Sequence, residues 1–239
     1  MKKKLAIFDI DGTVFRKNLH FELIDELSWR GIFSKNARRV LVQIYAKWLE
    51  HRGTYEEYRK KIVSTYAKEL KGCSQKDIIE ASRKVADFNK NRTYIFARDL
   101  IRKLRKENYV IIAISGSPIE VINEYNKHIK FDEVFGSVYE TDGQGIYTGK
   151  AIFEPVRHKG HLVGQYISEK GISLKGSYGI GDTESDVSFL EMVDYPFAFN
   201  PNLNLERVAR RRKWKIVVEK KDVIYDITNF KLLNFKAKP

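Results

Sequence analysis

The stretch from Leu5 to Val14 constrains the fold of this chain more than any other part of the sequence. Its first four residues, Leu-Ala-Ile-Phe, form an apolar run typical of a buried strand. Asp9 and Asp11 follow, and an extended backbone points both carboxylates to the same side before Gly12 allows a sharp turn. Two such charges about 4 Å apart repel by roughly 4 kcal/mol at an effective dielectric of about 20. The pattern therefore favours a site where a proton, a cation or both lie between them.

The composition is that of a folded globular protein with one or two domains. The chain has 239 residues, of which 43% are hydrophobic, and no stretch approaches the roughly 18 apolar residues of a membrane span. The single cysteine, Cys73, excludes an internal disulfide and is consistent with a reducing compartment. We expect a soluble, cytoplasmic protein with no membrane partner, and the sequence leaves its oligomeric state open.

The net charge of +13 predicts an attraction for anions. Nucleic acid is one such anion, but the basic clusters at Lys2–Lys4, Arg210–Lys213 and Lys220–Lys221 are scattered along the chain. No helix-turn-helix, finger or aromatic RNA-binding motif accompanies them. We interpret them as solvated surface and keep nucleic-acid binding as the minority interpretation.

The chain divides into a helical region and a region in which helices and strands alternate. From residue 16 to residue 91 the pattern predicts four helices and no strand, with N-caps at Ser34, at Thr54 (in a capping box with Glu57) and at Ser74. From about Thr93 onward the alternation predicts an α/β fold with a parallel sheet covered by helices. Strands are predicted at 109–114, 131–138 and 177–181, and a helix at 184–193.

Pockets in parallel sheets lie at the carboxyl ends of the strands, and chemically active residues follow three of the predicted strands. These residues are Asp9, Ser115 and Asp182, so one crevice can gather them from distant parts of the chain. Ser115 and Gly116 offer a hydroxyl and backbone N–H groups to an anion. Lys159 adds an ammonium at a helix start.

Asp182 and Asp186 stand four residues apart, which predicts one face of a helix's first turn. Together with Asp9 and Asp11 they form an oxygen-only ligand set that suits Mg²⁺ and not zinc. A magnesium ion, an ammonium and a hydroxyl around one open position describe a phosphate site. An aspartate in such a site can attack phosphorus and form an aspartyl-phosphate.

These residues also carry a family resemblance. The segment Asp9-Ile-Asp-Gly-Thr-Val14, then Ser115, Lys159, and Gly181-Asp182 with Asp186, resemble in that order the four motifs of the haloacid dehalogenase-like superfamily. The stretch Asp182–Trp214 is similar to the phosphoserine-phosphatase-like branch, subfamily IB. The resemblance implies a doubly wound, Rossmann-like parallel sheet with an inserted helical C1 cap. The core would comprise residues 1–15 and 92–239, and the cap residues 16–91.

The resemblance also implies a role for each matching residue. Asp9 would be the nucleophile and a Mg²⁺ ligand, and Asp11 the acid and base as well as a ligand through its backbone carbonyl. Asp182 would be the third protein ligand. The phosphoryl oxygens would be held by Ser115, the Gly116 N–H and Lys159, while Thr13 and Asp186 would support the site from behind.

The substrate depends on the cap. Phosphoserine phosphatases carry a cap glutamate after the first motif, where this chain has Asn18, and a cap arginine for which Arg59 is the candidate. The departure at Asn18 argues against phosphoserine. His20 and Glu22 are further candidates to face the substrate. The large cap residues Phe21, Trp29, Tyr45 and Trp48 are interpreted as the cap's hydrophobic core.

The sequence thus predicts a Mg²⁺-dependent phosphomonoester hydrolase acting on a small phosphorylated metabolite through an aspartyl-phosphate. Two alternatives stay open. A phosphotransferase would pass the phosphoryl group to an alcohol, and a catalytically idle protein of the same fold would hold nucleic acid with its positive charge.

Overall fold

A computed structural model of the chain describes residues 3–230, and its architecture is organised around one mixed sheet. The strands are β1 (Lys4–Phe8), β2 (Val110–Pro118), β3 (Glu133–Thr141), β4 (Tyr147–Phe153), β5 (Ser173–Gly181), β6 (Tyr195–Phe199), β7 (Lys215–Lys220) and β8 (Val223–Asp226). Within the described range the sheet order is β4-β3-β2-β1-β5-β6-β7-β8. The six inner strands are parallel, and β4 and β8 pair antiparallel at the two edges.

Helices cover both faces of this sheet. They are α1 (Leu19–Trp29), α2 (Lys35–Leu49), α3 (Tyr55–Leu70), α4 (Gln75–Asn89), α5 (Ile95–Lys106), α6 (Ile119–Ile129), α7 (Lys159–Lys170), α8 (Val187–Leu190) and α9 (Leu203–Arg212). Side chains of β1 alternate between the faces: Ala6 and Phe8 join the cluster that contains α5 and α6, whereas Leu5 and Ile7 join the cluster that contains α7, α8 and α9. The predicted doubly wound α/β fold is confirmed.

The helical insertion between β1 and α5 begins its helices where the sequence predicts. Ser34 accepts a hydrogen bond from the backbone N–H of Ala37, and Ser74 accepts one from that of Asp77. At Thr54 the capping box with Glu57 is complete, because each side chain accepts a hydrogen bond from the other residue's backbone N–H, at 3.1 and 2.7 Å. Each cap satisfies an amide that the helix itself leaves without a partner.

The helices α1–α4 share one hydrophobic cluster with a face of the sheet. Leu23 and Ile24 of α1 and Ile78 of α4 belong to the same buried cluster as Phe8 of β1. Helix α4 packs against α6, and α3 packs against β4. We propose that residues 16–91 form a cap and that residues 1–15 and 92–239 form the core on which it rests.

Two predicted elements differ from the structure close to the candidate site. Strand β2 continues to Pro118, so Ser115 lies inside the strand and not after it. The helix predicted at 184–193 is a 3₁₀ turn, Glu184–Asp186, followed by the single turn of α8. The cause is local: the Asp186 carboxylate accepts a hydrogen bond from the Thr183 N–H, which closes a tight capping box at that turn.

Two large residues that we interpreted as cap core lie at the surface instead. The exposed fraction is 74% for Trp29 and 39% for Tyr45. The apolar tail expected to dock does so in part, because β8 pairs with β7 and Ile227 packs against the second cluster. Leu232 and Leu233 of that tail lie outside the described residues. No helix within residues 3–230 combines the length and hydrophobicity needed to cross a bilayer.

Candidate active site

Three neighbouring strands bring the predicted residues to one edge of the sheet. Phe8, the last residue of β1, is in register with Ala113 of β2 and with Ile180 of β5. Asp9 and Asp182 each follow immediately after their strands, and Ser115 lies two residues beyond Ala113. The parallel register thus places side chains more than 100 residues apart in sequence beside each other.

A buried lysine links two of the carboxylates. The Lys159 ammonium donates a hydrogen bond to Oδ1 of Asp9 and another to Oδ1 of Asp186, both at 2.6 Å. All three side chains are almost inaccessible to solvent. Burial lowers the pKa of Lys159, but Asp186 and Asp9 outweigh burial and raise that pKa above its ordinary value. Lys159 is therefore charged and holds one oxygen of Asp9 in place.

Asp186 positions the loop that carries Asp182. Its second oxygen accepts hydrogen bonds from the backbone N–H groups of Asp182 and Thr183, each at 3.0 Å. Gly181 permits this close approach, because a Cβ at that position would lie 2.5 Å from Asp186. Asp186 is fully buried, and its two oxygens contact Lys159 and the backbone of the Asp182 loop.

The Asp11 carboxylate is held by groups from α1 and β2. Its Oδ1 accepts a hydrogen bond from the Leu19 N–H at 2.6 Å, and its Oδ2 accepts from the hydroxyls of Ser115 at 2.8 Å and Ser117 at 2.6 Å. Burial raises the pKa of Asp11, although these hydrogen bonds act in the opposite direction. A carboxyl with a raised pKa is suited to hold a proton near neutral pH.

Ser117 is a site residue that the sequence analysis missed. Its hydroxyl contacts Asp11, and it lines the pocket together with Gly116. Ser115 is completely buried, and its hydroxyl bonds Asp11 while accepting from the Ser117 N–H at 2.9 Å. Residues two apart in a strand point to the same side, but the strand predicted from the sequence ends at residue 114, so the rule was not applied to Ser117.

The open pocket in front of these groups is lined from both the core and the helical insertion. We call it the carboxylate pocket, and it is lined by Asp9, Asp11, Gly116, Ser117 and Asp182 of the core and by Asn18, His20, Tyr55 and Arg59 of the insertion, among others. Three of the four substrate candidates therefore reach it. Glu22, the fourth, lies outside it and pairs with Lys17 at 2.9 Å. Thr13 is fully buried, and its hydroxyl has no hydrogen-bond partner among residues 3–230.

The carboxylates exceed the positive charge available to them. Burial, together with Asp186 and Asp11, raises the pKa of Asp9 to about 8, although Lys159 acts in the opposite direction. Burial and the charges of Asp9 and Asp186 likewise raise the pKa of Asp182 well above its ordinary value. One ammonium does not neutralise four carboxylates, so the set suits a further cation.

The oxygen atoms that Asp9, Asp11 and Asp182 offer to a metal ion fit magnesium. Among residues 3–230 no three side chains of histidine, cysteine, aspartate or glutamate are arranged to bind a metal together. The Asp11 carboxylate is occupied by Ser115, Ser117 and the Leu19 N–H. The available oxygens are thus those of Asp9 and Asp182 and the backbone carbonyl of Asp11. Hard oxygen ligands completed by water or phosphate are typical of Mg²⁺.

The burial of His20 makes the folding stability of the protein depend on pH. Its ring lies edge-on to Tyr66 with centroids 4.7 Å apart, and burial lowers its pKa to about 3. Because the unfolded histidine has a pKa of about 6.5, the unfolded chain binds more protons below that pH, and stability falls as the pH falls. Lowering the pH from 7 to 5 should reduce the free energy of unfolding of the wild type by about 2 kcal/mol more than that of His20→Gln. Urea titrations at both pH values measure the difference.

His161, which is exposed, supplies the matched control. The variant His161→Gln should follow the wild-type pH dependence. If His20→Gln also followed it, the neutral, buried state of His20 would be wrong.

The fold and the site together define the class of protein: an α/β enzyme with carboxylates gathered at the carboxyl ends of its central strands. The sequence from residue 6 to residue 191 matches the haloacid dehalogenase-like hydrolase family. Since this match spans most of the chain, the protein belongs to that family.

Known proteins of similar sequence and structure agree with this assignment. The chain is 24% identical over 222 residues to the inhibition of morphological differentiation protein of Streptomyces azureus, covering 91% of this chain and 79% of that one. It is 22% identical over 227 residues to histidinol-phosphatase of Neisseria meningitidis serogroup C (strain 8013), covering 90% and 98%. A phospho-aspartyl intermediate analogue of phosphoserine phosphatase superposes with a TM-score of 0.63 at 23% identity, covering 93% and 96%. These likenesses show a shared fold.

Proposed function

We propose that this protein is a Mg²⁺-dependent phosphatase that hydrolyses a small phosphorylated metabolite through an aspartyl-phosphate on Asp9. The observation that carries the proposal is the Lys159 bridge, which holds one oxygen of Asp9 and leaves the residue lining an open pocket. Asp11 lines the same pocket, so a nucleophile and an acid face one space. The relatives named histidinol-phosphatase and phosphoserine phosphatase support the same class of reaction.

The proposed reaction consists of two displacements at phosphorus, the first by Asp9 and the second by water. Asp9 attacks with the oxygen that Lys159 does not hold, and the bond from phosphorus to the alcohol oxygen breaks while Asp11 gives that oxygen its proton. Asp11, now a carboxylate, takes a proton from the water that attacks the aspartyl-phosphate. Inorganic phosphate leaves, and Asp9 is restored. We assign the transferred phosphoryl group to the Gly116 N–H, since Gly116 lines the pocket, whereas Ser115 and Ser117 both donate to Asp11 and position it.

Asp9, Asp182 and the Asp11 carbonyl would hold Mg²⁺, in agreement with the donor chemistry described above. When bound, the cation supplies positive charge that keeps Asp9 ionised near neutral pH and draws charge from the phosphoryl oxygens. Gly12 accommodates Asp182 on this side of the pocket, since a Cβ there would lie 2.2 Å from its Oδ2. Closure of the proposed cap would exclude water during transfer. We also propose a cytoplasmic location, which rests on the single cysteine.

A panel of phosphorylated metabolites assayed with Mg²⁺ and then with a chelator tests the proposal. We expect phosphate release with Mg²⁺, loss of release with EDTA, and recovery when Mg²⁺ is added in excess. The physical reason is electrostatic. Without a counter-cation, the buried carboxylates repel one another and also repel the phosphate dianion. Hydrolysis that persists unchanged in EDTA would contradict the metal site.

The same panel run with added ethanol distinguishes hydrolysis from phosphotransfer. A hydrolase releases inorganic phosphate in equal amounts with and without the alcohol. Formation of ethyl phosphate in place of inorganic phosphate would identify a phosphotransferase instead.

A further inference from the structure

A second cavity adjoins the carboxylate pocket and lies between the helical insertion and the core. It encloses about 1380 Å³ including its open mouth. Asn18, Tyr55, Asp182 and Thr183 line both cavities, so the two spaces meet beside the carboxylates. Any molecule whose phosphate occupies the carboxylate pocket therefore has a path for its remaining atoms into this second space.

Aromatic side chains form one wall of this space, which we call the aromatic groove; they are Phe21, Tyr45, Trp48, Tyr55 and Tyr58. The rings of Trp48 and Tyr58 are almost parallel, at 6° with centroids 6.0 Å apart. Tyr55 and Tyr45 lie 5.3 and 5.5 Å from Trp48. The rings hold one another in a fixed arrangement, which is typical of a preformed binding surface.

The aromatic groove is open to solvent at Tyr45, one of the residues that we had interpreted as cap core. Tyr45 is 39% exposed, and Phe21, Trp48 and Tyr55 are only partly buried. Aromatic faces that remain accessible beside a reactive site offer stacking to a flat ligand. Tyr58 belongs to the main hydrophobic cluster, and Phe21 and Tyr55 pack against it, so these rings also hold the helices together.

The charged groups at the rim of the aromatic groove already have partners. Lys17 pairs with Glu22 at 2.9 Å, and the Arg16 guanidinium lies over the Tyr94 ring, 5.1 Å from its centroid. In the carboxylate pocket, Arg59 pairs with Glu56 through two nitrogens at 2.9 and 3.0 Å. No cation among these is reserved for a second anionic group of a ligand, so the groove favours a ring without negative charge.

We propose that the aromatic groove binds the alcohol part of the substrate and that this part carries a planar aromatic ring without negative charge. The inference rests on the proposed phosphatase function for the position of the phosphate. The ring stacks against Trp48 and Tyr45, and Tyr55 stands at the junction between ring and phosphate.

Two phosphonates that cannot be hydrolysed test the inference by binding: 2-phenylethylphosphonate and its saturated analogue, 2-cyclohexylethylphosphonate. Calorimetry with Mg²⁺ present should show the aryl compound binding about tenfold more tightly, the size of one aromatic stacking contact. Trp48→Leu and Tyr45→Leu should each reduce that preference to within about twofold. Thermal unfolding of each variant confirms that it is folded.

Trp29→Leu is the matched control, because Trp29 lies on the same helical insertion but outside the groove. It should keep the wild-type preference. Equal affinity of wild type for the two phosphonates, or an equal loss in Trp29→Leu, would overturn the inference.

Turnover of 2-phenylethyl phosphate and ethyl phosphate separates this inference from the proposed function. If both are hydrolysed and Trp48→Leu raises KM only for the aryl ester, both stand. Aryl-selective binding without hydrolysis of either ester would leave the groove assignment intact and refute the phosphatase. Hydrolysis of both esters without aryl-selective binding would support the phosphatase and refute the groove assignment.

Discussion

Replacing Asp9 by asparagine is expected to lower phosphate release by about 10⁴-fold or more, the scale seen when a covalent nucleophile is removed. An amide is a poor nucleophile, and the neighbouring carboxylates have other tasks, since Asp182 is proposed as a Mg²⁺ ligand. Asp11 is held by two serines and the Leu19 N–H, and Asp186 is fully buried behind the pocket. Steady-state assays with Mg²⁺ and an ester identified by the metabolite panel measure the loss.

The Asp9→Asn variant should nevertheless remain folded. Its amide oxygen still accepts a hydrogen bond from Lys159. Since the folded-state pKa of Asp9 lies near 8, above the ordinary value of 3.8, ionising this residue opposes folding when no cation is bound. Without Mg²⁺ at pH 8, the variant should therefore unfold at a temperature no lower than wild type does.

Asp99→Asn, a change of the same kind on the exposed face of α5, is the control and should leave activity unchanged. Retention of most activity in Asp9→Asn would exclude Asp9 as the nucleophile.

Replacing Lys159 by methionine is expected to lower the free energy of unfolding by about 3–5 kcal/mol, because it leaves the buried Asp186 carboxylate, and Asp9 when it is ionised, without their cation. Methionine has a similar length, so the change removes charge and little volume. Both ion pairs measure 2.6 Å and are shielded from water, which distinguishes Lys159 from the surface lysines. Urea denaturation in EDTA measures the loss, and activity should fall as well, because Asp9 loses the contact that orients it.

A double variant shows whether the loss arises from unpaired charge. Lys159→Met combined with Asp186→Asn should be less destabilised than the sum of the two single variants, because one of the two stranded charges is gone. Lys170→Met, at the exposed end of the same helix, should behave as wild type. Additive effects in the double variant would contradict a charge-based role for Lys159.

The sequence predicted the sheet and the position of the site because both depend on local patterns. The apolar run that ends at Asp9, and the glycine before Asp182, mark strand ends whatever the rest of the chain does. Parallel pairing then requires those ends to meet. The family match and the strand register confirm the fold, and the roles of the individual residues stay predictions.

Side-chain direction could not be read from the same patterns. Ser115 follows an apolar run in the sequence, but only the paired strand shows that β2 continues to Pro118 and turns both serines toward Asp11. The turn at Glu184–Asp186 likewise depends on backbone groups that reach the Asp186 carboxylate. Both outcomes arise from contacts between segments, which a single-sequence pattern does not contain.

The aromatic residues of the insertion show a similar limit. Helical periodicity groups Tyr45 and Trp48 on one side of α2, but it does not say whether another element covers that side. In the structure the side faces the groove, whereas Trp29 projects into solvent. The apolar character of Tyr45 and Trp48 therefore did not show whether they belong to the hydrophobic core or line the groove.

The first turn of α1 is fastened to the reactive centre at two points. The Leu19 N–H donates to Asp11, and the His20 N–H donates to the Ser117 hydroxyl at 3.1 Å. This end of the insertion thus cannot move outward without breaking hydrogen bonds to Asp11 and Ser117. We expect any opening of the insertion for substrate entry to bend beyond α1, because such a bend leaves both of these hydrogen bonds intact.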